Sequence, residues 1–276
     1  AVSALEELKG VDLTLIDIVG KSSIADAMLI APYNDLAAVE ALLGENDDIV
    51  AIIAEPLQRI IPAAPGYLQG LRELCDKYSV LLIFDEVISG FRVGFEGAAG
   101  YYDIQPDIIT FGKIIGGGLP VGAYAASHEI MSHVAPEGPV YQAGTLSANP
   151  VAMSAGYAAL QQLLAPNFYE DMEAKTRAFV DDILAFAAAE HMELTIPTIG
   201  SIFWIAFTEE RIISADQIDP ASMEKFKVLH HELLQRGMYL GPSGYEVGFV
   251  SAAHTKEDLK EAADIMKECL KIVFKK

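Results

Sequence analysis

Two continuous apolar runs constrain this 276-residue chain more than any other feature: DIVAIIAEP from Asp48 to Pro56 and SVLLIFDE from Ser79 to Glu86. Neither alternates polar with apolar residues as a half-exposed strand would. Both read as short buried strands. Between them GYLQGLRELCDKY sets Leu68, Leu71, Leu74, Cys75 and Tyr78 at helical spacing. Strand, helix, strand favours parallel pairing through a right-handed crossover. DIITFG and VGAYAAS add two more β-type runs. The expected sheet is buried on both faces, and such sheets place ligands at the carboxyl ends of their strands.

After Tyr141 the pattern turns helical. SANPVAMSAGYAALQQLL carries Pro150 near a helix start, and NFYEDMEAKTRAFVDDILAFAAAEH follows Pro166. A strand-like SIFWIAFT spans 201–208, a helix around SMEKFKVLHHELLQRG is closed by Gly237, and Thr255 opens a last helix with Asp258 at the capping-box position. The expected fold is therefore α/β. A mostly parallel sheet with helices on both faces occupies residues 1–165, and a smaller α+β domain occupies 166–276.

Charge narrows the partners. Lys and Arg total 19 against 39 Asp and Glu, a net −20, which repels nucleic acid and anionic membranes on average. No apolar run approaches the ~20 residues needed to span a bilayer, and AVSALEELKG lacks the features of a signal peptide. Cys75 and Cys269 lie in helical segments outside any CxxC pair, which predicts packing thiols in a reducing cytoplasm. The six histidines show no ligand spacing, so no metal is expected.

Chemistry concentrates at two strand ends. Asp85 closes one buried strand, and Lys113 follows the next, ahead of Gly116, Gly117 and Gly118. The pair reads either as a structural ion pair or as a cleft in which a desolvated lysine becomes a nucleophile. Three glycines favour the cleft, because they suit a loop whose backbone approaches something flat or phosphorylated. A P-loop is excluded, since Lys113 precedes the glycines and is followed by Ile114 rather than Ser or Thr. A dinucleotide fingerprint fails equally.

LLIFDEVISGFRVG, PDIITFGKIIGGGLPVGAY and VYQAGTLSANPVAMSAG, in that order and spacing, resemble the class III aminotransferases, which use pyridoxal 5'-phosphate. Within that family the motifs are most similar to those of the glutamate-1-semialdehyde 2,1-aminomutases. YLGPSGYEVGFVSAAHT extends the likeness toward the C-terminus. The resemblance implies a fold-type I large domain, with Lys113 as the Schiff-base lysine and proton shuttle and Asp85 as partner of the pyridine nitrogen. It implies that Val87 packs on the ring, with an ordinary core valine as the alternative. Gln58 would approach the cofactor's phenolic oxygen. Thr145 would bind the phosphate of the neighbouring subunit of a homodimer, or else simply cap the following helix. Glu246 would stand near the substrate's amino groups, or else be a solvated carboxylate.

The family pattern includes a long N-terminal portion, with a phosphate loop and a ring-stacking aromatic, that precedes the region matched here. The expectation is that this sequence is part of a longer polypeptide. Three functions follow: intramolecular amino exchange by the aminomutase route, intermolecular transamination with a keto acid, or a catalytically silent interaction module. EPLQR running straight into IIPAAPGY departs from the aminomutase pattern and, with Gln58, favours the second.

Overall fold

The computed structural model describes residues 28–58 and 61–275, and within it the chain divides into two compact units. The first runs through 63–90 and 96–161 together with the residues before Leu57; the second comprises 57–62, 91–95 and 162–276.

In the first unit, helix α1 (Leu36–Glu45) begins at Asp35, whose Oδ1 accepts from the Ala38 amide at 2.9 Å. Strand β1 (Ala51–Ala54), helix α2 (Tyr67–Tyr78) and strand β2 (Leu81–Glu86) follow as the apolar runs predict. Helix α3 (Gly97–Tyr102), strand β3 (Ile108–Phe111), strand β4 (Ala123–Ala126), the short helix α4 (His128–Met131) and helix α5 (Pro150–Leu163) complete it. The strands form one sheet in the order β1-β2-β3-β4, parallel except for the antiparallel β4. Asp107 fastens the start of this array: its Oδ2 accepts from the Leu82 amide at 2.7 Å and from Arg72 Nη1 at 2.8 Å.

One face of the sheet builds the core. Leu82 and Phe84, with Ile52, Ala54 and Ile109 beside them, pack with Val39 and Leu43 of α1 and Leu68, Leu71 and Cys75 of α2. The expected burial of both faces is not met to the same degree. Ile53 on the opposite face is 55% exposed, and Leu81, Ile83 and Asp85 are only half-buried. A strand turns alternate residues to opposite sides, so the uninterrupted apolar runs place their second set of side chains on this more open surface.

In the second unit, helix α6 (Phe168–Ala189) is followed by strands β5 (Thr198–Ile199) and β6 (Ile202–Phe203), helix α7 (Ser222–Gln235), strand β7 (Gly248–Phe249) and helix α8 (Lys256–Val273). The three short strands are antiparallel. Phe179 and Ile183 of α6, Leu229 and Leu233 of α7, and Met266, Cys269 and Leu270 of α8 share one core. The Thr255 capping box forms as expected: Thr255 Oγ1 accepts from the Asp258 amide at 3.0 Å, and Asp258 Oδ2 accepts from the Thr255 amide at 2.8 Å. Gly237 ends α7 at φ +81°. The strand expected over 201–208 is shorter: the hairpin turns at Gly200, φ +53°, and beyond β6 the arms meet through the Trp204 amide, which donates to the Pro197 oxygen at 3.0 Å, and through the Thr195–Ala206 bridge, Pro197 having no N–H to return a ladder bond.

Among the described residues no helix is long and apolar enough to cross a membrane. Cys75 and Cys269 are both free and fully buried. Burial pushes the Cys75 thiol up to about 12 and raises Cys269 as well. Since the thiolate is the reactive form, neither cysteine should react with Ellman's reagent at pH 8 until denaturant is added. Titration of either thiol in the native protein contradicts this packing.

Candidate active site

Strand alternation separates the two acids that end β2. Leu82, Phe84 and Glu86 face the core, whereas Asp85 takes the opposite, half-buried side. Thr110 pairs in register with Asp85 across the parallel β2–β3 ladder, and Tyr124 pairs with Thr110 across β3–β4. Three polar residues thus form a row near the carboxyl end of the sheet. Asp85 Oδ1 accepts from the Val87 amide at 3.0 Å and from Thr110 Oγ1 at 3.4 Å. Among the described residues Oδ2 accepts no hydrogen bond, whereas Oδ1 accepts two.

Lys113 stands two residues beyond the end of β3, beside the strand that carries Asp85. It opens a 3₁₀ turn, Lys113–Gly116, at φ +48°. That left-handed conformation costs a non-glycine residue on the order of 1–2 kcal/mol, so the surrounding turn must impose it. The bond that closes over Lys113 is the Ile115 amide donating to the Gly112 oxygen at 3.3 Å, and the turn continues with the Gly117 and Leu119 amides donating to the Ile114 and Gly116 oxygens at 3.0 Å each. Lys113 is exposed. Among the described residues its amine makes no ion pair, and the structural-pair reading of Asp85 with Lys113 is therefore not supported. The expected desolvation of the lysine is not supplied by this chain's described residues either. Val87 lies against Gly112, with its Cγ1 3.2 Å from where a Gly112 Cβ would stand.

Of the three glycines, Gly117 has a backbone partner within the chain, whereas Gly118 faces open space. A Cβ on Gly117 would lie 2.3 Å from the Ala155 carbonyl oxygen, and one on Gly156 would lie 2.0 Å from that of Ile115. Helix α5 and the lysine loop thus meet backbone to backbone. The expectation that the glycines admit a flat group is replaced at Gly117 by this packing.

The remaining expected residues lie apart in their local structure. Thr145 is exposed in the turn before α5 and does not cap that helix. Asn149 caps it instead, with Oδ1 accepting from the Val151 and Ala152 amides at 3.1 and 3.2 Å. Gln58 belongs to the second unit, bridges to Ile61, and has a buried Oε1 without a hydrogen-bond partner among the described residues. Glu246, also in the second unit, is exposed on the turn before β7. Thr110 and Glu86 were not singled out from sequence. The signal for Thr110 was its polarity within an apolar strand; for Glu86 it was the alternation that sends it inward.

The sequence profile described as aminotransferase class-III matches residues 22–270. The chain belongs to that family. It is similar to an omega-transaminase from Sphaerobacter thermophilus, with 28% identity and a TM-score of 0.85 over 91% of this chain and 59% of the other. A β-phenylalanine aminotransferase from Variovorax paradoxus matches with 28% identity and a TM-score of 0.80 over 87% and 56%. A glutamate-1-semialdehyde aminomutase from Pseudomonas aeruginosa PAO1 in complex with PMP matches with 25% identity and a TM-score of 0.79 over 92% and 59%. The chain thus spans less than two thirds of each of these relatives.

The contact between α5 and the lysine loop predicts the effect of Gly156→Ala. Alanine improves helix propensity by up to about 1 kcal/mol, but the new methyl meets a backbone carbonyl that cannot rotate away, and overpacking costs about 1–3 kcal/mol. The clash wins. A lowered denaturation midpoint is expected, and an unchanged or raised midpoint removes this contact as a constraint on the lysine loop.

Proposed function

We propose that this chain takes part in pyridoxal-phosphate-dependent amino-group transfer, with Lys113 and Asp85 as its chemical pair. The observation that carries the reading is the Asp85 carboxylate. One oxygen is fixed by the chain and the other accepts no bond from the described residues, on the more open side of a sheet whose next strand leads to a primary amine. A carboxylate suits a protonated ring nitrogen, an amine suits an aldehyde, and Val87 offers an apolar side chain beside Gly112. The residues fit the group.

When bound, pyridoxal phosphate supplies an aldehyde that condenses with amines and a ring that draws electrons from the substrate's amine-bearing carbon. Lys113 would hold it covalently through Nζ. Once displaced by the substrate's amine, the same nitrogen would remove and return the proton at that carbon. Asp85 Oδ2 would accept from the ring N–H and keep the nitrogen protonated. Thr145 would reach the phosphate of a neighbouring subunit, so a homodimer is part of the proposal, and Gln58 and Glu246 would contact cofactor and substrate respectively. The two buried thiols suit a cytoplasmic setting.

Two routes are compatible with this pair. The three sequence motifs favour intramolecular amino exchange of the glutamate-1-semialdehyde type. Gln58, the short segment that follows it, and the 28% identity to two transaminases favour intermolecular transfer to a keto acid. The second reading rests on more observations, and we adopt amino transfer to a keto acid as the working assignment.

Purified protein should show an absorption band from bound cofactor that disappears in Lys113→Ala. Asp85→Asn should retain cofactor but slow proton abstraction by on the order of 10²–10³-fold. Wild-type protein that holds no cofactor would favour the silent-module reading, and full turnover in Asp85→Asn would misplace the acid. In the same preparation, turnover of a vicinal amino-aldehyde with no keto acid present identifies the aminomutase route; strict dependence on an acceptor identifies the transaminase.

The dimer has its own check. Leu146 and Tyr157, 64% and 68% exposed, lie near Thr145 in sequence. Leu146→Asp with Tyr157→Asp should convert a dimer to monomer by light scattering, and an unaffected mass places the interface elsewhere.

A further inference from the structure

We propose that Glu86 is a positioning residue that sets the orientation of the Asp85 carboxylate, an inference that rests on the amino-transfer reading of Asp85. Glu86 is completely buried, at 0% exposure. Three donors converge on its two oxygens: Oε2 accepts from Ser89 Oγ at 2.9 Å and from the Ala98 amide at 2.7 Å, and Oε1 accepts from the Ala99 amide at 2.7 Å. A buried carboxylate left without such donors costs several kcal/mol. The segment around it is therefore held in the one arrangement that supplies all three.

The local backbone is shaped to this end. Gly97 lies at φ +65°, and a Cβ there would stand 2.4 Å from Glu86 Oε2, so the loop can close on the carboxylate only with glycine. Glu96, the residue that opens α3, makes no side-chain capping bond; the Ala98 and Ala99 amides are satisfied from β2 instead. The backbone of Glu86 closes the other side of the turn, since its carbonyl accepts from the Gly90 amide at 2.9 Å.

Val87 sits inside that turn. Its amide makes the shorter of the two bonds to Asp85, 3.0 Å against 3.4 Å from Thr110. An O–H donor at 3.4 Å is beyond the usual range for a strong bond, so the Val87 amide is the main restraint on Oδ1. The inward acid thus fixes the turn, the turn fixes the amide, and the amide aims the outward acid. A glutamine at 86 cannot substitute, because its NH₂ would face Ala98 and Ser89 or else Ala99, donor against donor.

The test compares Glu86→Gln, Ser89→Ala and Asp85→Asn with wild type in the cofactor-loaded protein that carries this chain. The absorption of bound pyridoxal phosphate is followed across pH, together with its dissociation constant. In cofactor-free protein, amide hydrogen exchange is read at Val87, Ala98 and Ala99. Glu86→Gln should shift the spectral pH midpoint in the same direction as Asp85→Asn, weaken cofactor binding by about tenfold, and accelerate exchange at all three amides. Ser89→Ala removes a single donor; it should give a smaller shift in the same direction, and it carries the test where Glu86→Gln does not fold. Wild-type spectra in Glu86→Gln and Ser89→Ala beside a shifted Asp85→Asn overturn the positioning role and leave the amino-transfer reading standing. If Asp85→Asn itself leaves the spectrum unchanged, the assignment of Asp85 fails and the positioning role fails with it.

Discussion

The opposite facing of Asp85 and Glu86 is the constraint on which the rest of the first unit depends. A strand gives adjacent residues to different sides by geometry alone, yet two adjacent carboxylates meet very different solvation on those sides. Inward, an acid survives only where the chain supplies donors for both oxygens. Ser89 and the first amides of α3 do so. Outward, one oxygen of Asp85 accepts no bond from the described residues. Had the register slipped by one residue, Asp85 would turn toward the core and Glu86 away from Ser89, Ala98 and Ala99, the donors that satisfy it.

The lysine loop follows a similar division. Lys113 occupies a left-handed conformation that a lysine does not favour, and the cost is met by packing at its neighbours rather than by the lysine itself. Gly117 and Gly156 remove side chains where α5 crosses the loop, so two backbones approach at distances that exclude even a methyl group. Local strain of this type persists where the surrounding structure over-determines it. The helix that follows the Thr145 turn is thereby tied to the loop that carries the lysine, without either functional side chain taking part in the contact.

Much of this was legible in the sequence. The apolar runs marked β1 and β2, and Pro150, Gly237 and the Thr255–Asp258 box marked helix ends, because each of these signals is decided by neighbours a few residues away. Long-range effects were less readable. Three glycines in a row indicated close approach but not its object, since Ala155 lies 38 residues from Gly117. Thr110 gained its place only from the β2–β3 register, and Glu86 from a loop that returns 12 residues later. The 201–208 run contained enough apolar residues for a full strand, yet ladder formation depends on the partner arm, where Pro197 between Thr198–Ile199 and the Thr195 bridge accepts from the Trp204 amide but has no N–H to donate.

The same distinction explains why the proposed chemistry is easier to assign than the proposed substrate. Asp85 is held by a strand ladder and Lys113 by a hydrogen-bonded turn, and both positions are fixed by backbone geometry that many side chains elsewhere can accommodate. Gln58 and Glu246 stand on irregular segments, one at an isolated bridge and the other in an exposed turn. Residues on such segments tolerate substitution without disturbing a core. The residues proposed for the chemistry thus rest on hydrogen-bonded backbone at adjoining strand ends, and those proposed for further cofactor and substrate contacts on irregular backbone. The net charge of −20 adds one condition: an anionic ligand approaching against that field needs local cationic or amide donors.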